Sequence, residues 1–246
     1  MDKYVNNSIS VLNDMTKNYK ELNHLGVYLA KQTDVNALKT LKLLILSFEA
    51  NLLDKPFDIN TVVSYAKEFY NEKRYYNDTI IGNLAMNSHN YALELLEFII
   101  ANFNVDLSVK PDGIYTIFDI WMRSFVKIEN DESIFYKRYD MVDKKLDIID
   151  FVLQNGMLAK MDIAYLMDVF NYCVKVKYDY SKSNLLKMIE IANLIMSNRC
   201  ITKNISEDTR KENVLNELDN FEISNKQFKY MSENILEFER KRVLKK

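Results

Sequence analysis

The residues best suited to chemistry in this chain are few and far apart. Pro111-Asp112 followed by Asp143-Lys144-Lys145 supplies two carboxylates and a lysine. That set can hold a divalent ion and place an ammonium beside an attacking water. It normally sits on a strand pair, whereas Asp112 stands in a Pro-Asp-Gly turn and Asp143 at a helix start, so both have structural duties. His24 and His89 lie far in sequence from Cys173 and Cys200, and no zinc-ligand spacing exists. His24 adjoins a helix start and His89 stands in a turn between helices, so both read as structural. Glycines at 26, 82, 113 and 156 are too scattered to cradle a phosphate or a dinucleotide. The expectation is a chain with no catalytic residue, no bound metal and no cofactor.

Recognition is better supplied. Tyr75-Tyr76, Phe135-Tyr136 with Tyr139, and Tyr178-Tyr180 fall in segments expected to be loops, beside Arg74, Arg138 and Lys177. Exposed tyrosine next to a cation is typical of protein-binding hot spots. The contact candidates are Tyr75, Tyr76, Arg123, Tyr136, Arg138 and Tyr139. Trp121 falls at helical spacing from Ile117, beside Phe118, and is assigned to the core.

What positions these residues is a set of helices. Gly numbers 4 and Pro 2 in 246 residues, too few for the turns of an all-β or doubly wound fold. Four apolar runs recur at Leu44-Ile45-Leu46, Phe98-Ile99-Ile100, Phe151-Val152-Leu153 and Leu194-Ile195-Met196. Each lies in a helix-forming context with a less apolar helix upstream, as in stacked arrays. The expected elements are an amphipathic helix within 1–23, a short helix over 25–31, and a helix over about 35–48 capped by Asp34. A further helix starts at Asp58 or Asn60 and carries Val62, Val63, Ala66 and Phe69; residues 70–78 then form a loop. Thr79 to Met86 is a short helix, and 91–102 is the most apolar helix, buried on more than one side. Residues 109–113 are a turn, followed by a helix over 115–126 and an inserted loop over 127–140. The third inner helix, Lys144 to Leu153, stops near Gly156, and 162–175 with 183–197 is the fourth pair. Two closing helices span 206–220 and 224–244, the second opened by a Ser224/Gln227 capping box. Phe228, Met231, Ile235 and Phe238 form its apolar seam.

Several of these segments resemble ankyrin repeats. Thr79-Ile80-Ile81-Gly82-Asn83-Leu84-Ala85 stands where that family has its Thr-Pro-Leu-His-x-Ala box, and Tyr91 to Ile100 resembles its inner helix. Asn104-Val105-Asp106 is similar to the following loop, and Asp112-Gly113-Ile114-Tyr115-Thr116-Ile117-Phe118 to the opening of the next repeat. Asp147 to Gly156 is a second match; Leu25–Ala50 and Ala164–Ile201 are weaker ones. Spacings of 37 to 54 residues exceed the family's ~33, which puts insertions at about 51–77 and 127–142. The style, rich in Asn, Lys, Ile and Tyr, resembles the degenerate ankyrin proteins of large DNA viruses, poxviruses especially.

The resemblance implies an all-α, irregular ankyrin-like solenoid: a capping helix at 1–23, repeats at 24–203 and a helical cap at 204–246. It also implies a non-enzymatic scaffold that binds another protein, as a viral factor acting on a host protein. The alternative is a self-associating helical assembly protein of a virus or phage, joined through the C-terminal seam; a metal-dependent nuclease is the remote one. A net charge of −2 argues against nucleic acid as partner, although five cations stand between Arg240 and Lys246. Those cations complement a helix C-terminus. Two cysteines, an N-terminus without a signal-like apolar core and no run of ~18 apolar residues imply a cytoplasmic chain without a membrane span.

Overall fold

The computed structural model describes residues 3–16, 22–53, 55–69, 72–87, 89–111, 113–114, 116–117, 206–231 and 233. The described part is mostly helical. Helices α1 (Lys3–Thr16), α2 (Leu22–Ala30) and α3 (Val35–Glu49) precede strands β1 (Val63–Phe69) and β2 (Glu72–Asp78). Helices α4 (Ile80–Met86) and α5 (Asn90–Asn102) follow, and α6 (Glu207–Asp219) and α7 (Asn225–Tyr230) lie near the C-terminus. The third and fourth apolar runs, the 115–126 helix and Trp121, the 127–140 loop, Gly156 and the cysteines lie outside the described residues.

Helix α3 is the hub. Ala37, Leu38, Thr40, Leu41 and the run Leu43–Ser47 are all buried, leaving little polar face. A helix apolar on nearly all sides must be surrounded, and α3 packs against α1, α2, α5, α6 and α7. Asp34 opens it by accepting from the Asn36 N–H at 2.6 Å, as its sequence position implied. It ends in a left-handed cap: Asn51 has φ +56°, its N–H reaches the Phe48 carbonyl, and the Leu52 N–H reaches that of Ser47. Asn tolerates this conformation better than other non-glycine residues. The stop therefore precedes Lys55-Pro56.

Helices α2 and α3, short then long, pack as one pair of sequence neighbours, and α4 and α5 form another. The pairs lie side by side, with α2 against α4 and α3 against α5. Gly26 permits the close approach: a Cβ there would stand 2.6 Å from Ile80 Cδ1 and 3.1 Å from Phe57 Cε2. Thr79 caps α4 by accepting from the Gly82 N–H at 3.0 Å. His89 caps α5, its Nδ1 accepting from the Tyr91 N–H at 3.1 Å, so its role here is structural. Helix α5 packs on α3, α4 and α6, as its apolar content required, while Glu94 and Glu97 stay exposed.

Two asparagines join the pairs through their backbones. At one end Asn87, buried in the α4–α5 turn, donates to the carbonyls of Ala30 at 2.9 Å and Gln32 at 2.8 Å. Its Oδ1 accepts from the His89 N–H at 2.9 Å. At the other end Asn60 donates to the Asn104 carbonyl at 3.0 Å and accepts from the Asp106 N–H at 2.8 Å. The loops it joins use the same device: Asp58 Oδ1 holds the Asn60 N–H and Asp106 Oδ1 the Ser108 N–H, each at 2.9 Å. Gly113, at φ +75°, completes the expected turn by donating to the Lys110 carbonyl.

Two expectations are corrected. The helix expected from residue 58 or 60 and the loop expected over 70–78 are an antiparallel ribbon, Val63 pairing with Asp78 and Phe69 with Glu72. Val62, Val63, Tyr65 and Phe69 are strand formers, and pairing with the Tyr75-Tyr76 run outweighs their helical spacing. The fold is therefore mostly helical rather than all-α. The capping box is only half formed. Ser224 Oγ accepts from the Gln227 N–H at 3.2 Å, but the Gln227 side chain turns inward and donates to Thr40 Oγ1. The apolar seam also divides: Met231 is buried and Phe228 is 40% exposed, while Ile235, Phe238 and the cationic tail lie outside the described residues.

Two measurements test this packing. Asn87→Ala strands two carbonyls and an N–H and is expected to lower unfolding free energy by about 3 kcal/mol in a denaturant titration. Tyr91 is pushed up to about 12, first by burial and then by the Glu217 and Glu94 carboxylates. Its folded state holds a proton the unfolded chain releases near pH 10. Stability is thus whole below about pH 10 and falls between there and about pH 12. Tyr91→Phe should reduce that alkaline loss in melts across the window.

Candidate functional site

The exposed feature best prepared for recognition is the β1–β2 ribbon with its anchor on α2. Val63, buried at the ribbon's base, faces Asp78 across the ladder. Ser64 donates to Asn77 Oδ1 at 2.6 Å on the next rung. Tyr65 pairs with Tyr76, and their rings stack with centroids 5.8 Å apart and planes 19° apart. Offset stacking of this kind adds to the area the rings bury.

Lys31, the first residue beyond α2, fixes the stack to the helical body. Its ammonium lies 4.1 Å from the Tyr65 ring centroid and donates to the Tyr65 hydroxyl and the Asp78 carboxylate. The Tyr65 hydroxyl in turn donates to Asp78. Burial, then that hydrogen bond and the Asp78 charge, hold the phenol well above its ordinary range. The nearby ammonium opposes this, but burial and the carboxylate prevail. The phenol therefore keeps its proton further into the alkaline range than a free tyrosine does. Lys31 also stands at the negative end of α2's dipole.

This geometry places Tyr76 at the surface, 36% exposed, with its inner neighbour locked. Tyr75 pairs in register with Ala66. Arg123, Tyr136, Arg138 and Tyr139 lie outside the described residues. Sequence reasoning missed Lys31, Tyr65 and Asp78. The available signal was the alternation Val63, Tyr65, Phe69 facing a second run with Tyr76 and Asp78.

Among the described residues little else offers chemistry. A cleft of about 200 Å³ between the end of α3 and the two loops is lined by Phe48, Glu49, Phe57, Asp58 and Phe103, among others. It is smaller than the ~300–1,000 Å³ of ligand pockets. Among the described residues no group of three or more His, Cys, Asp or Glu side chains could hold a metal. Among them, too, no helix is long and apolar enough to cross a membrane. No protein-family model, no curated protein and no solved structure matches the chain.

The anchor is open to test. Lys31→Met removes the cation over Tyr65 and the partner of Asp78. Hydrogen exchange should rise several-fold in residues 63–69 and 72–78 while α3 amides stay protected. Global stability should fall by only about 1 kcal/mol, the scale of a partly exposed ion pair.

Proposed function

We propose that this chain is a non-catalytic protein-interaction scaffold of ankyrin-like helix pairs, and that β2 around Tyr76 is part of its contact surface. The observation carrying the reading is the rigid presentation of Tyr76. A tyrosine already stacked on an anchored neighbour loses little freedom when a partner covers it, and tyrosine is favoured at binding hot spots. The side-by-side short–long pairs and Thr79 at the start of α4 support the ankyrin-like description. The ribbon leaves the body between the two pairs, within the span where an insertion was expected, and insertions in arrays often lie on the binding side. The Asn-, Lys-, Ile- and Tyr-rich style extends the proposal to a viral factor acting on a host protein in the cytoplasm.

An affinity capture from host-cell extract, quantified by mass spectrometry, tests it. The wild-type chain should retain a specific protein, and Tyr76→Ser should reduce its recovery about tenfold, a typical hot-spot loss. Met86→Ser, at another exposed site, should leave recovery unchanged. Equal recovery by wild type and Tyr76→Ser rejects the assignment of β2.

A further inference from the structure

The cleft beside Asn60 is small, but its lining carries charge of one sign. Helix α3 ends at Glu49 and α5 at Asn102, and Glu49, Phe103 and Asn104 all line the cleft. Two helix C-termini meet there, each presenting the negative end of its dipole. Glu49 and Asp58 add two carboxylates, and no lining residue is basic; Lys55, in the same loop as Asp58, does not line it. Asp58 is held in place. Its N–H donates to Asn23 Oδ1 at 3.0 Å, its Oδ1 accepts from the Asn60 N–H at 2.9 Å and its Oδ2 from the Thr61 hydroxyl at 3.0 Å. Each carboxylate oxygen keeps a second lone pair, and among the described residues Asp58 forms no ion pair. The walls are aromatic: the Phe48 and Phe57 rings stand with centroids 5.7 Å apart and planes 57° apart, and Phe103 is the third ring. Phenyl faces attract cations, more strongly where water is displaced.

We propose that this cleft takes one basic side chain, lysine or arginine, from a partner protein. Charge complementarity selects the occupant: both carboxylates and both helix ends repel an anion and attract a cation. A volume of about 200 Å³ is too small for a whole metabolite and suits the end of one long side chain. Asp58 and Asn104 are exposed, so the mouth opens at the surface and the partner's main chain stays outside. The methylene stem of a basic side chain lies against apolar walls while its head meets charge at the rim; here Ile45, Phe57 and Ile59 supply the walls and Asp58 the rim. The proposal rests on the reading of the chain as a protein-binding scaffold but not on the assignment of β2, and Tyr76 takes no part in it.

The probe is the capped tripeptide acetyl-Gly-Arg-Gly-amide, titrated into the isotope-labelled full chain and followed by amide NMR shifts. Shifts should concentrate in residues 48–49, 57–60 and 103–104 and saturate at millimolar peptide, the range expected for a single side chain. A tripeptide with citrulline in place of arginine has nearly the same shape without the charge and should bind about tenfold more weakly. Asp58→Asn keeps the acceptor for the Asn60 N–H and should weaken arginine-peptide binding about fivefold, and Phe48→Leu by a similar factor. The comparison of the two peptides uses the wild-type chain, so it decides even where a variant does not fold. Equal binding of the two peptides, shifts centred elsewhere, or no shifts at all overturn the proposal. Free arginine binding more tightly than the tripeptide also overturns it, because the cleft then belongs to a small molecule. None of these outcomes depends on Tyr76, so failure here is told apart from failure of the capture experiment.

Discussion

Buried backbone groups must find partners, and between the helix pairs of this protein Asn87 meets that requirement. Helix α2 ends inside the molecule with the Ala30 carbonyl out of reach of water, and Asn87, from the turn of the next pair, takes it. At the other end Asn60 joins the two loops through exposed hydrogen bonds. Each clamp fixes two segments far apart in sequence. Together they set the relation between the pairs at both ends, and the apolar contacts of α3 with α5 and of α2 with α4 fill the space between. Apolar burial supplies the larger share of free energy but little direction; the amides supply the geometry.

That geometry carries outward to the surface. Because α2 is held at its end by Asn87, Lys31 leaves the helix in a fixed place, and from there it holds Tyr65 and Asp78. A two-stranded ribbon alone is marginal in water. This one is made firm by Val63 in the core at one point and by the lysine–tyrosine–aspartate cluster at another. The exposed Tyr76 is thus supported through a chain of contacts running from a buried asparagine, through a helix end and a cation, to a stacked ring. At α6 and α7 polar pairs, Lys42 with Glu217 and Thr40 with Gln227, join the buried apolar side chains in holding the segment on α3.

Reading residues in order went well where local chemistry is decisive. Asp34 caps α3, Thr79 caps α4 and Gly113 adopts the left-handed turn, each set by the residue's own side chain or its lack of one. It went wrong where two patterns coexist in the same letters. Val62, Val63, Ala66 and Phe69 satisfy a helical period, and Val63, Tyr65 and Phe69 satisfy an alternating one. The second run, whose Tyr76 and Asp78 complete the ladder, was set aside as loop because it is polar. Ser224 and Gln227 illustrate the same limit: the spacing of a capping box is present, but a buried threonine on α3 draws the glutamine side chain away.

What the sequence by itself determined is the mostly helical character of the described residues, the place of several caps and turns, the apolar face of α1, the apolar run of α3 and the burial of α5 on more than one side. These follow from propensity, side-chain length and periodicity, which act within a few residues. Only the tertiary structure decided that α3 is the hub, that α6 and α7 return to it, and that residues 63–78 form a ribbon anchored by Lys31. Those outcomes depend on partners 34 residues away for Lys31 and Tyr65 and 175 away for Lys42 and Glu217. Contacts across such separations depend on how distant described segments close around one apolar helix, and no local period records them.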